Sequence, residues 1–280
     1  MAQCIGCGGE LHPSLTEPYH PSCMLRDNEL SAPYQLLATE LKTAVTEIIR
    51  WADSASDRSL QLAPGPSELG DACDRRLAYR LAQIPELGSR ADPWAAIVGT
   101  AVHNWLEKAI QKWMIAANAP DEWITERAVN VDDFVVGHVD AYWRPYQVVV
   151  DWKTMSNDRM NEVRDGGAAA VPGYIVQAHL YGLAYQRLGF DVKSVALLCL
   201  PRAGRLRDAH PIVEPFDPRI AQYALDRMYG IAGRLVELDV YSNPTAWQQI
   251  EAKPSNSCGL CPWYDSNRLI EADATGCPGR

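Results

Sequence analysis

Two runs rich in β-branched and aromatic residues, Phe134 to Trp143 and Gln147 to Thr154, flank Arg144-Pro145-Tyr146-Gln147. Proline has no amide to give to a ladder, so both runs must end there and pair as a hairpin. Side chains alternate across a strand, which puts Asp151 and Lys153 on one face and Val150 and Trp152 on the other. With Asp140 on the matching face of the neighbouring strand, two carboxylates and one ammonium converge. Paired carboxylates repel unless a cation lies between them, and hard oxygen donors suit magnesium or manganese. A bare Asp-x-Lys tripeptide is common on solvated strands, so the weight falls on its surroundings.

At 280 residues, with 47% hydrophobic and 22% charged residues, the chain reads as one large globular domain with a small appendage. No segment nears eighteen consecutive apolar residues, and Met1-Ala-Gln-Cys-Ile-Gly-Cys lacks a basic region followed by an apolar run. A cytoplasmic protein is expected. In a reducing compartment the eight cysteines are metal ligands or buried thiols rather than disulfides, and most lie near the two chain ends. The net charge of −9 excludes a surface basic throughout, so contact with DNA would use a local patch. Arg75, Arg76, Arg80, Arg202, Arg205 and Arg207 are candidates for such a phosphate groove.

Residues 1–30 carry Cys4-Ile-Gly-Cys7 and His20-Pro-Ser-Cys23, two chelating pairs at zinc-finger spacing, with His12 an alternative fourth ligand. So polar a segment could not bury a core without a metal. Residues 31–66 read as a helix from Ala32 to about Asp53 with Leu36, Leu37, Val45, Ile48, Ile49 and Trp51 on one face, then a linker ending at Pro66. Residues 67–280 form the main domain. In order, the sequence predicts a helix from Glu68 to Ala82 holding Cys73, and a second from Trp94 to about Asn118 with His103 and Glu107 one turn apart. Strands follow from Trp123 to Val131 and along the hairpin, then a loop from Ser156 to Ala170. A helix from Val171 to Leu188 carries Gln177 and Tyr181, residues that in isolation could equally face solvent. A strand from Val192 to Pro201 has Cys199 as a core residue. A further strand ends near Val213, a helix runs from Pro218 to about Leu238, and an irregular tail from Tyr241 holds Cys258, Cys261 and Cys277.

This ordered set resembles the PD-(D/E)XK nuclease superfamily in its RecB-like branch. Gly99-x-x-x-His103, Gly137-x-x-Asp140, Asp151-Trp-Lys153 and Gln177-x-x-x-Tyr181 stand where the four motifs of that branch stand. The resemblance implies an α/β, restriction-endonuclease-like core with a central mixed sheet flanked by helices. It implies that His103, Asp140, Asp151 and the Trp152 carbonyl hold Mg2+ or Mn2+, that Lys153 acts on the attacking water, and that Gln177 and Tyr181 position the DNA strand.

Within the branch, a cysteine before the first motif and a C-terminal cysteine cluster look like the iron-sulfur members, the helicase-nuclease subunit AddB and the CRISPR-associated RecB-like exonucleases. Cys73, Cys258, Cys261 and Cys277 would hold a [4Fe-4S] cluster that staples the tail across the domain. The family's last two cysteines lie six positions apart, whereas Asn267 occupies that position here. Four thiolates also suit zinc, and the preference for iron-sulfur comes from the family pattern.

The resemblance implies a bacterial or viral metal-dependent exonuclease acting on single-stranded DNA or DNA ends in recombination, repair or replication, beside proteins of those processes and with oligomers allowed. Spacer trimming in CRISPR adaptation is an alternative, and a non-catalytic DNA-end-binding scaffold is a third.

Overall fold

The computed structural model of the chain describes residues 10, 32–54, 63–87, 92–253, 258–259, 261–265 and 276–279. It divides into two units, Met1–Leu60 and Gln61–Arg280. In the first, helix α1 spans Ala32–Ser54, and its Leu36, Leu37, Leu41, Ile48 and Trp51 are exposed among the described residues. The expected zinc ligands Cys4, Cys7, His20 and Cys23 lie outside the described residues. No described helix is long and apolar enough to cross a membrane.

In the second unit, helices α2 (Pro66–Leu69), α3 (Asp74–Leu81) and α4 (Trp94–Ala116) precede the sheet. Its five strands, β1 (Trp123–Asn130), β2 (Val136–Trp143), β3 (Val148–Met155), β4 (Ser194–Pro201) and β5 (His210–Pro215), lie side by side in sequence order. Neighbours are antiparallel except β3 and β4, which run parallel. A parallel pair needs a crossover, supplied here by α5 (Asn157–Gly166) and α6 (Pro172–Arg187), and α7 (Pro218–Glu237) follows the sheet. This mixed sheet flanked by helices is the architecture expected from the sequence.

The hairpin forms as predicted, with Arg144–Tyr146 as one 3-10 turn and Gln147 at φ +53 closing it. Its ladder is short, from Trp143 opposite Val148 to Ala141 opposite Val150. Beyond that point β2 stays with β1, while β3 follows β4 as far as Met155 opposite Pro201. The sheet therefore opens into a fork between β2 and β3.

Alternation along β3 divides its residues between two cores. Val148, Val150 and Trp152 join Ala141 against Leu106 and Ile110 of α4. Val149 and Met155 belong to the larger core, with Ala178, Leu180 and Ala184 of α6 and Leu225 of α7. Every residue from Gln177 to Tyr185 is buried, so α6 lies inside the unit.

Three expectations are corrected. The single helix from Glu68 to Ala82 is broken into α2 and α3. Gly70 packs so tightly on α6 that a Cβ there would lie 2.2 Å from the Gly173 carbonyl oxygen, and Asp71 Oδ1 accepts the Cys73 amide at 2.9 Å, turning the chain. The loop expected from Ser156 to Ala170 is α5 plus a 3-10 turn. Ser156 caps it by accepting the Arg159 amide, Met160 and Val163 bury one side, and Gly167 at φ +55 stops it. The tail from Tyr241 contains a 3-10 segment, Pro244–Gln249, that buries Trp247 with its ring centroid 4.6 Å from that of Tyr79.

Candidate active site

At the fork, the Trp152 amide donates to Asp140 Oδ2 at 2.6 Å. A side chain thus takes the place of the strand partner that β3 loses there, and Asp140 is held 7% exposed. Its other oxygen, Oδ1, lies 2.9 Å from Nδ1 of His103, which α4 presents from above the sheet.

On β3, Asp151 is 2% exposed. Lys153 Nζ approaches its Oδ2 to 2.6 Å but is misaligned for a hydrogen bond, so Oδ2 has a charge neighbour and no hydrogen-bond donor. The ammonium instead donates to Gln177 Oε1 at 3.0 Å, and Gln177 Nε2 donates to the Tyr181 hydroxyl at 3.2 Å. The Tyr174 ring centroid lies 4.8 Å from the same ammonium. Gln177 and Tyr181 are buried, which removes the reading of them as solvent-facing. Gly137 makes room for them, because a Cβ there would meet the Tyr181 ring at 2.8 Å.

Burial pushes the Asp151 carboxyl up to about 6, with the Lys153 charge opposing and the Asp140 charge adding. Burial alone would lower His103, but the hydrogen bond to Asp140 and the charges of Asp140 and Asp151 outweigh it, and its pKa is raised.

Sequence reasoning missed Glu126. It stands on β1 opposite Asp140, since Thr125 pairs with Ala141 and Arg127 with Val139. One ligand atom each from His103, Glu126 and Asp140 lie within 4.8 Å of one another. These donors fit a divalent cation: two donors 2.9 Å apart match adjacent positions around a six-coordinate ion with bonds of about 2.1 Å. The lone pairs left on Asp151 Oδ2 point to the same need.

Cys73, Cys258, Cys261 and Cys277 line one pocket, with Asp71, Arg76 and Tyr79. The Lys253 amide lies 3.5 Å from Cys73 Sγ and the Gly279 amide 3.4 Å from Cys277 Sγ. Burial raises the pKa of Cys261. Cys199 is separate and fully buried, its thiol pushed up to about 11 by burial, as expected of a core residue. Arg75 is no groove residue. It is 3% exposed and donates from Nε and Nη2 to the Ile250 carbonyl, tying α3 to the tail. Arg76 pairs with Asp71 and Arg80 with Glu68, leaving Arg202, Arg205 and Arg207 as the exposed basic turn.

Among solved structures, the chain is similar to an alkaline exonuclease from Laribacter hongkongensis, with a TM-score of 0.45, 9% identity, and 67% of this chain and 95% of that one covered. It is also similar to a phage-related exonuclease from Haemophilus somnus 129PT, with a TM-score of 0.38, 12% identity, and 56% and 77% covered. No family model and no curated protein matches the sequence. Likenesses this loose assign no reaction.

Proposed function

We propose that the chain is a metal-dependent deoxyribonuclease of the PD-(D/E)XK type, an exonuclease that hydrolyses phosphodiester bonds of single-stranded DNA or of DNA ends in recombination, repair or replication. The observation that carries this reading is the convergence at the fork of Asp140, Asp151, His103 and Lys153 from three elements. Phosphodiester hydrolysis needs a neutralised phosphate, an oriented water and a stabilised pentacovalent transition state, and this donor set meets each need.

His103, Asp140, Asp151 and the Trp152 carbonyl would hold Mg2+ or Mn2+, which supplies Lewis-acid polarisation of the scissile phosphate. Lys153 orients the attacking water by hydrogen bonding and places positive charge where negative charge grows in the transition state. Gln177 fixes the direction of that ammonium through Oε1, and Tyr181 fixes the Gln177 amide in turn. Tyr174, about one-third exposed at the start of α6, offers a stacking surface to a nucleotide base beside the lysine. The scaffold alternative predicts loss of metal ligands, and all of them are present.

The four-cysteine pocket is assigned to a [4Fe-4S] cluster. What supports it is that Cys73, Cys258, Cys261 and Cys277 line one pocket, and four thiolates suit an iron-sulfur cluster. The zinc finger at Cys4, Cys7, His20 and Cys23 remains part of the proposal on its spacing alone.

The test is digestion of end-labelled single- and double-stranded DNA by the full chain, with Mn2+, Mg2+ or a chelator. Metal-dependent shortening by the wild type and none by Asp151→Ala supports the reading. No shortening by the wild type under any of these conditions overturns it.

A further inference from the structure

We infer that Glu126 is a direct ligand of the cation that His103 and Asp140 hold, an assignment that rests on the cation site proposed above. The backbone of Glu126 sits in the left-handed region at φ +47, within a strand in which no other residue from Trp123 to Asn130 has a positive φ. A glutamate gains nothing locally from that conformation, which favours glycine or asparagine. What it does is aim the side chain: the ladder between β1 and β2 skips Glu126 and Asp140, and the two carboxylates come together with the His103 ring.

There the carboxylate makes no hydrogen bond or ion pair with any described residue, and the charges that act on it are those of Asp140, His103 and Glu107. On the other side of the fork Asp151 is 2% exposed, and its Oδ2, although 2.6 Å from the Lys153 ammonium, receives no hydrogen bond and keeps lone pairs for a cation. Lys153 provides one positive charge against the carboxylates of Glu126, Asp140 and Asp151. A divalent cation balances the set, and three carboxylates with one imidazole favour Mn2+, which takes nitrogen more readily than Mg2+ does.

The experiment measures Mn2+ binding to the full chain without DNA, by calorimetry and by the electron paramagnetic resonance signal of free Mn2+, for the wild type, Glu126→Gln, Glu126→Gly and Asp140→Asn. Glu126→Gln should weaken Mn2+ binding by about tenfold or more while leaving the Tm of the cation-free protein unchanged. Glu126→Gly should weaken binding as much and raise that Tm, since glycine accepts the left-handed backbone. Glu126→Gln binding Mn2+ within about twofold of the wild type, with Asp140→Asn weakened, overturns the Glu126 assignment alone. A wild type that binds no Mn2+, or an Asp140→Asn that binds as the wild type does, removes the cation site and this ligand with it.

Discussion

The backbone amide of Trp152 donates to the side chain of Asp140 across the gap where β2 and β3 part, at 2.6 Å. Asp140 is therefore structural as well as chemical, and the two roles separate by substitution. Asp140→Ala leaves a buried N–H unsatisfied and should cost about 1–3 kcal/mol of stability. Asp140→Asn keeps an acceptor and should cost less than half of that, while losing activity as fully. Urea unfolding of both variants checks this, and equal destabilisation by the two would contradict it.

Lys153→Met keeps the apolar stem and removes the charge beside Asp151. Activity in single-turnover digestion should fall by about 10²–10³. The buried carboxylate left without its ion pair should lower stability by about 3 kcal/mol, a loss that added Mn2+ partly reverses. Gln177→Ala should lower activity less, because it only frees the ammonium that it now directs.

The pH dependence has a definite sign. The Asp151 carboxyl titrates at about 6 against an ordinary value of 3.8, so between those limits the folded chain holds a proton that the unfolded chain has released. Stability of the cation-free protein should fall as pH rises through that window and level off above it. Mn2+ competes with the same proton, so its affinity should drop as pH falls below about 6. Calorimetric titrations at about pH 5 and about pH 7 test the second statement, and equal affinities would count against it.

Gly137→Ala places a methyl group 2.8 Å from the Tyr181 ring and 2.9 Å from Pro66. Overpacking of this kind should cost about 1–3 kcal/mol and disturb the Tyr181–Gln177–Lys153 chain, giving a lower Tm together with slower digestion. An unchanged Tm would show that the fork has slack.

Anaerobically purified protein should contain iron and acid-labile sulfide, and Cys73→Ser should lose both. Because the tail crosses to α3 at this pocket, the same variant should become more sensitive to limited proteolysis. A protein holding zinc and no iron would replace the cluster assignment.

The hairpin, its two carboxylates, the lysine and the glutamine helix were legible because each follows from alternation or from the helical turn. Glu126 was hidden because its position depends on a left-handed backbone inside a strand, which no propensity announces. Helix α5 was hidden because two buried residues, Met160 and Val163, suffice to seat it once Ser156 caps it. Arg75 resembled a solvated charge because its acceptor, the Ile250 carbonyl, lies far along the chain.

Gly70 and Gly173 have no side chains, and so the turn before Cys73 rests directly on the first turn of α6. That first turn carries Tyr174, and Gln177 follows one turn on. Whatever fixes Cys73 thereby also braces the helix that steers Lys153, because at Gly70 and Gly173 backbone meets backbone with no side chain between to absorb a shift.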